Sequence, residues 1–324
     1  MLTLSDYQEV IKNHFENINL DKQPKNLYEP ISYILSLGGK RIRPVLTLMA
    51  ADIFDGNYKD ALSAAVAVEV FHNFSLVHDD IMDDAPLRRG KKTVHEKWDL
   101  NTGILSGDAM LILAYQYFEV YEPSIFQALA KLFSKTALEV CEGQQYDVDF
   151  ETKDDVSIPS YLKMIEYKTA VLLGAAMKMG AIIAKTSEEN CNLIYDFGLN
   201  LGIAFQIQDD YLDAFGDPET FGKQVGGDII ENKKTYLYLK AKEFSSPDQQ
   251  KQLSHLFSIQ PTDNTEKIEA VKSIFDESGA KEATKKAIET YTFKAFETLE
   301  SMSISEEKKD LLKNFGKMLM GRNV

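Results

Sequence analysis

One stretch constrains this chain more than any other: KDALSAAVAVEVFHNFSLVHDDIMDD, residues 59–84. It reads as a single helix, apolar on nearly every face until its last turns. A helix of that kind belongs at the centre of a protein, wrapped by others, because it has no polar face to offer water. Helical periodicity predicts the wrapping segments: one from after Pro30 to the Gly38-Gly39 turn, then 42–54, 107–121, 124–147, 160–184, 187–214, and a more charged series from about 228 to the C-terminus. Convincing alternating strands are missing, and no Pro/Gly/Ser-rich linker divides the series. The expected fold class is all-α, a single large helical bundle, with residues 1–324 as one domain. At 324 residues and 44% apolar, the chain can bury a large core.

Charge narrows the function classes. Fifty acidic against 36 basic residues leave a net charge of -14, which argues against nucleic acid as a partner. Cys141 and Cys191 form neither a disulfide framework nor a zinc spacing, consistent with a reduced cytoplasmic setting. The opening MLTLSDYQEVIKNHF lacks the basic, apolar and small-residue order of a signal peptide. The longest apolar run, 170–184, contains Lys178 and is shorter than the roughly 20 residues a membrane span needs.

One chemical device occurs twice. The central helix ends in DDIMD, with Asp79, Asp80 and Asp83, before the basic loop APLRRGKKTVHEKWDLNTG. A second apolar helix ends in DDYLD, with Asp209, Asp210 and Asp213, before FGDPETFGKQVGGD. Positions i and i+4 share a helix face, so Asp79 points with Asp83 and Asp209 with Asp213. Carboxylates so crowded repel each other unless a proton or a cation intervenes. Oxygen-only ligands at the negative end of a helix suit Mg²⁺, which also accepts oxygens from phosphates. One such cluster is as readily a solvated helix end; two, each followed by a glycine-containing cationic loop, are not.

Basic residues complete the pattern. GGKRIRP, residues 38–44, sets Lys40, Arg41 and Arg43 around a glycine turn at a helix start, and Arg88 and Arg89 follow the first acidic cluster. Guanidinium forks and helix N-termini both match phosphate oxygens. Lys168, Thr169, Lys223 and Lys233 are further polar or cationic points.

GGKRIRP, LVHDDIMDDAPLRRG, SGDAML, the GQ of CEGQQYD, YKT, and FQIQDDYLDAFGD with GKQVGGDIIENKKT together resemble the trans-isoprenyl diphosphate synthases, or polyprenyl synthetases. The resemblance implies an all-α domain, usually a homodimer, with a central cavity in the bundle. It implies that Asp79, Asp80, Asp83, Asp209, Asp210 and Asp213 hold magnesium, about three ions per site. It matches Lys40, Arg43, His72 and Arg89 to positions binding isopentenyl diphosphate. Arg88, Lys168 and Lys223 match contacts to the allylic diphosphate (dimethylallyl, geranyl or farnesyl), with Thr169, Gln206 and Lys233 nearby. His78, His95 and Trp98 read as structural.

Product length would depend on the helix ahead of Asp79. At 1.5 Å per residue, Phe74 lies about 7.5 Å and Phe71 about 12 Å along the axis from Asp79. An aromatic residue at Phe74 with small Ser75 beside it resembles the archaeal-type twenty-carbon pattern, so geranylgeranyl diphosphate is expected, with farnesyl diphosphate next. A terpene cyclase would not need GGKRIRP, and a non-catalytic regulatory subunit tends to lose one acidic motif.

Overall fold

Helix formation satisfies every interior backbone group within one segment, so a chain dominated by period-3.6 apolar stripes builds layers of helices. The computed structural model describes residues 2–153, 155–217 and 225–321. Among these the only sheet is a hairpin pairing Leu87–Arg88 with Lys91–Lys92, inside the first basic loop. The all-α expectation holds. No helix among the described residues is long and apolar enough to cross a membrane.

The described residues fall into two compact units. One comprises those of Met1–Lys135 and Ala175–Tyr195, the other those of Thr136–Gly174 and Asp196–Val324. In the first, helix Leu62–Met82 packs against Ile42–Ile53, Leu100–Gln116 and Lys25–Ser36. Ala64, Ala65, Val66, Ala67 and Val68 are consecutive and all fully buried, as a helix apolar on every face requires. The helix stops where Asp84 turns left-handed at φ 48°. The Asp83 and Ala85 amides there donate to the Asp79 and Asp80 carbonyls, each at 2.9 Å.

Several boundaries differ from the sequence expectation. Helix Leu4–Glu16 was not anticipated, although its Thr3–Asp6 capping box and the buried Tyr7, Ile11 and Phe15 carry the usual signal. The second helix, Lys25–Ser36, starts ahead of Pro30 and contains it. Gly107 lies inside Leu100–Gln116, whose start is set by Asp99 accepting from the Thr102 amide at 2.9 Å. The predicted helix 160–184 is Ile158–Ile165, a π-helical turn at Glu166–Ala170, and Val171–Ile183.

The second unit packs Tyr161, Ile165, Ile203, Ile207, Tyr211, Leu237 and Phe275 into one core. Helix Ala280–Glu300 lies against Tyr236–Phe244, Thr265–Glu277 and Glu306–Met320.

Candidate active site

The glycine turn and the arginine pair, 50 residues apart in sequence, meet in the first unit. Arg89 donates to the Gly38 carbonyl. Its guanidinium lies so close over Gly39 that a Cβ there would sit 2.8 Å from Cζ, and Gly39 has φ +124°. Only glycine satisfies both conditions. Arg43 lies on the first turn of helix Ile42–Ile53 and donates through Nη1 to Nε2 of His72 at 3.3 Å, since a guanidinium cannot accept. Burial, then Arg43, Arg89 and Arg88, hold His72 well below its ordinary pKa, so the ring is neutral. Lys40 is exposed on the same turn. Arg41 serves the fold instead: it donates to the Leu35 carbonyl at 2.9 Å and lies 4.4 Å over the Phe15 ring.

At the end of the central helix, Arg88 grips the first acidic cluster. Its Nε donates to Asp80 Oδ1 at 2.7 Å, and its Nη2 lies 2.6 Å from the same oxygen and 3.6 Å from Asp79 Oδ2. Asp80 is 1% exposed. Burial raises its pKa, and the Arg88 contact opposes that. Asp80 Oδ2 is buried and finds no donor among the described residues. Asp79 is half-buried and Asp83 exposed.

In the second unit, Asp210 is buried and accepts from the Tyr161 hydroxyl and from Gln206 Nε2 at 3.0 Å. Burial pushes it up to about 7; the two hydrogen bonds work downward, Asp209 upward and Lys233 downward. Asp213 carboxylate accepts from the Asp228 amide at 2.9 Å. Thr169 donates to Gln206 Oε1 at 3.2 Å, and Lys168 pairs with Asp147 at 2.6 Å. Both Lys168 and Thr169 belong to the π-helical turn, and helix Pro123–Thr152 approaches it at Gly143, where a Cβ would meet the Lys168 amide nitrogen at 2.2 Å. Widened turns of this type often mark functional sites. Lys223 lies outside the described residues.

Residues 24–275 match the family model described as polyprenyl synthetase. The chain belongs to the polyprenyl synthetase family. Its all-α fold is shared with a crystallised geranylgeranyl pyrophosphate synthase, 57% identical, each chain fully covered, TM-score 0.96. A geranylfarnesyl diphosphate synthase of Natronomonas pharaonis is 40% identical over 279 residues, 80% of this chain and 79% of the relative. A polyprenyl synthase from Caulobacter crescentus, crystallised with calcium and isoprenyl diphosphate, is 26% identical at TM-score 0.87, covering 99% of this chain and 96% of that one. This polyprenyl synthetase is therefore an enzyme, a prenyltransferase of isoprenoid biosynthesis, a reading favoured over the cyclase and regulatory ones.

Sequence reasoning passed over four polar residues of this family member. Tyr161 looks like a core aromatic and Asp147 like a helix-surface acid. Asp228 lies beyond the repeated motif; burial, with Asp210 and Asp213 close by, raises its pKa well above the usual range. Glu69, one turn from Asn73, looks misplaced in an apolar helix. It is 3% exposed and accepts from Asn73 Nδ2 at 3.3 Å; burial raises its pKa, and Arg43 and Arg41 oppose that. Only the oddity of an acid in that run signalled it. Phe74 is buried between Phe71 and His78, with ring centroids 5.4 and 4.8 Å away, and Phe71 meets Phe133 at 5.1 Å. Half-buried Ser75 donates to the His72 carbonyl at 2.8 Å.

Proposed function

We propose that this prenyltransferase condenses isopentenyl diphosphate with an allylic diphosphate, head to tail and trans, and that its main product is geranylgeranyl diphosphate. The observation that carries the length is the buried Phe74 ring, braced by Phe71, which in turn meets Phe133, beside the small Ser75. A tail extending along this helix passes Ser75 freely and meets aromatic rings below it. Farnesyl diphosphate is the runner-up product.

The two acidic clusters fit magnesium. Their donors are all oxygen, and Asp80 Oδ2 is a buried acceptor with no donor among the described residues. Among the described residues, no three His, Cys, Asp or Glu side chains converge into an all-protein metal cage. Mg²⁺ does not need one, since it keeps waters and takes one or two carboxylates plus substrate phosphates. Asp79, Asp83, Asp209 and Asp213 would hold it, with Asp80 and Asp210 supporting them, about three ions per site. When bound, magnesium neutralises charge building on the leaving diphosphate.

The chain's own residues do the rest in this reading, which treats both units as one catalytic domain. Lys40, Arg43, Arg89 and neutral His72 grip the diphosphate of isopentenyl diphosphate. Arg88, Lys168, Lys223 and Lys233 receive the allylic diphosphate, with Thr169 and Gln206 orienting the lysine turn. The allylic C–O bond breaks, the isopentenyl double bond attacks the resulting cation, and the departing diphosphate takes the proton. Apolar walls keep water from the cation, and joint binding supplies the proximity.

A homodimer in the cytoplasm completes the proposal. Helix Leu100–Gln116 supports self-association: Leu105 and Ile112 are each 59% exposed, and Asp108 is its one charged residue. Incubating the purified chain with Mg²⁺, isopentenyl diphosphate and each allylic primer in turn tests the whole reading. Twenty-carbon product is expected; fifteen- or twenty-five-carbon product as the main species would overturn the length. Phe74→Ala should lengthen the product and Ser75→Phe shorten it. Unchanged distributions in both would remove these residues as the pocket floor.

A further inference from the structure

The segment after the second acidic cluster is held from behind by a buried ammonium. Lys267, on helix Thr265–Glu277, is 3% exposed. Its Nζ donates to Asn232 Oδ1 at 2.7 Å and the Ile259 carbonyl at 3.0 Å, and lies 3.5 Å from the Ile230 carbonyl. Among the described residues no carboxylate pairs with it. A buried charge satisfied only by neutral oxygens is costly, and a neutral side chain of similar length would fill the space without that cost. The charge has a specific place to act. Ile230 ends the short helix Gly227–Ile230, where exposed carbonyls favour a cation, and Asn232 follows in a left-handed conformation at φ 58°.

The other end of that short helix touches the acidic cluster. The Gly226 amide donates to the Asp213 carbonyl at 2.6 Å and the Asp228 amide to the Asp213 carboxylate at 2.9 Å. The Lys233 amide donates to the Asp228 carbonyl at 2.9 Å. Ile268, the neighbour of Lys267, lies beneath Gly226, close enough that a Cβ there would be 3.0 Å from Cδ1. One turn of helix Thr265–Glu277 therefore supports the whole segment from Gly226 to Lys233.

We propose that Lys267 is a positioning residue for the second acidic site. By clamping Ile230, Asn232 and Ile259 it fixes the turn that sets Asp228 against Asp213 and presents Lys233. The proposal rests on the reading of Asp209 and Asp213 as magnesium ligands.

Magnesium titration of the full chain tests it, read both as prenyl transfer at saturating substrates and as the rise in melting temperature that magnesium produces. In Lys267→Met the half-saturating magnesium concentration should rise about tenfold, in the range seen when a group supporting metal ligands is removed. The KM for isopentenyl diphosphate should stay within about twofold, since that substrate is assigned to other residues. Lys267→Arg, which keeps the charge, should recover part of the shift. Asn232→Ala, which removes one acceptor, should move the same constant in the same direction by less. An unchanged magnesium requirement in Lys267→Met, with only a lowered melting temperature, overturns the proposal and leaves Lys267 as a packing residue. Should Lys267→Met not fold, an unchanged requirement in Asn232→Ala overturns it. A wild-type chain that transfers prenyl groups without any divalent cation overturns the magnesium reading itself, and the wild-type arm detects this separately.

Discussion

Asp80 and Asp210 are the second residues of two matching motifs, both buried at the ends of apolar helices, and the protein treats them differently. Asp80 is met by a guanidinium: Arg88, eight residues on, closes two contacts to one of its oxygens. Asp210 is met by neutral donors, the Tyr161 hydroxyl and the Gln206 amide, and shares its surroundings with Asp209 and Asp228. A cation offsets buried charge directly, whereas a neutral donor solvates it without cancelling it. Asp210 accordingly rises to about 7, near the point where a proton and a metal ion compete for the same site. Among the described residues, the buried carboxylate of the first motif is answered by a charge and that of the second by neutral hydrogen bonds.

The strongest way to break this comparison is to remove one carboxylate from each cluster. Asp79→Ala and Asp209→Ala should each lower kcat roughly 10²–10³-fold, the scale for losing one group that stabilises developing charge, with circular dichroism unchanged. Wild-type rates from either folded variant would sink the assignment of both motifs. Next in size is the loss of the compensating partner. Arg88→Ala leaves Asp80 buried without its guanidinium and should cost about 3 kcal/mol in urea unfolding. Tyr161→Phe removes a single neutral donor from Asp210 and should cost about 1–2 kcal/mol. If the two costs prove equal, the contrast between charged and neutral compensation is wrong.

A further test of the comparison is one of pH. An acid near 3.9 in the unfolded chain and about 7 in the fold binds its proton more tightly when folded. Its contribution to stability is therefore complete below about pH 4 and is lost as pH rises through about 7. In chelator, the melting temperature of the wild type should fall between about pH 5 and pH 8, and Asp210→Asn should flatten that slope. Added magnesium should restore stability most at the alkaline end. A slope identical in Asp210→Asn would mean that other groups carry the pH dependence.

Legibility differed in the same way as the two clusters do. The central helix and both aspartate repeats could be read directly, because i to i+4 spacing and an all-apolar run are local properties. Arg88 stands close enough in sequence to Asp80 to be suspected. Tyr161 could not be linked to Asp210 across 49 residues by any periodicity, nor Lys267 to Asn232 across 35. The π-helical turn carrying Lys168 and Thr169 was read as ordinary helix, since its extra residue leaves the apolar pattern almost unchanged. Helix Leu4–Glu16 is a different case: its capping box and apolar stripe were present in the sequence.

By itself the sequence determined that this chain is helical, that it ends an apolar helix in crowded carboxylates twice, and that such crowding calls for a proton or a cation. Local spacing and the cost of crowding like charges are enough for that. Only the tertiary structure decided which group answers each buried carboxylate: Arg88 for Asp80, and Tyr161 with Gln206 for Asp210. The physical reason is reach. A buried charge takes whichever donor packing brings within about 3 Å, and for Asp210 that donor comes partly from a distant helix.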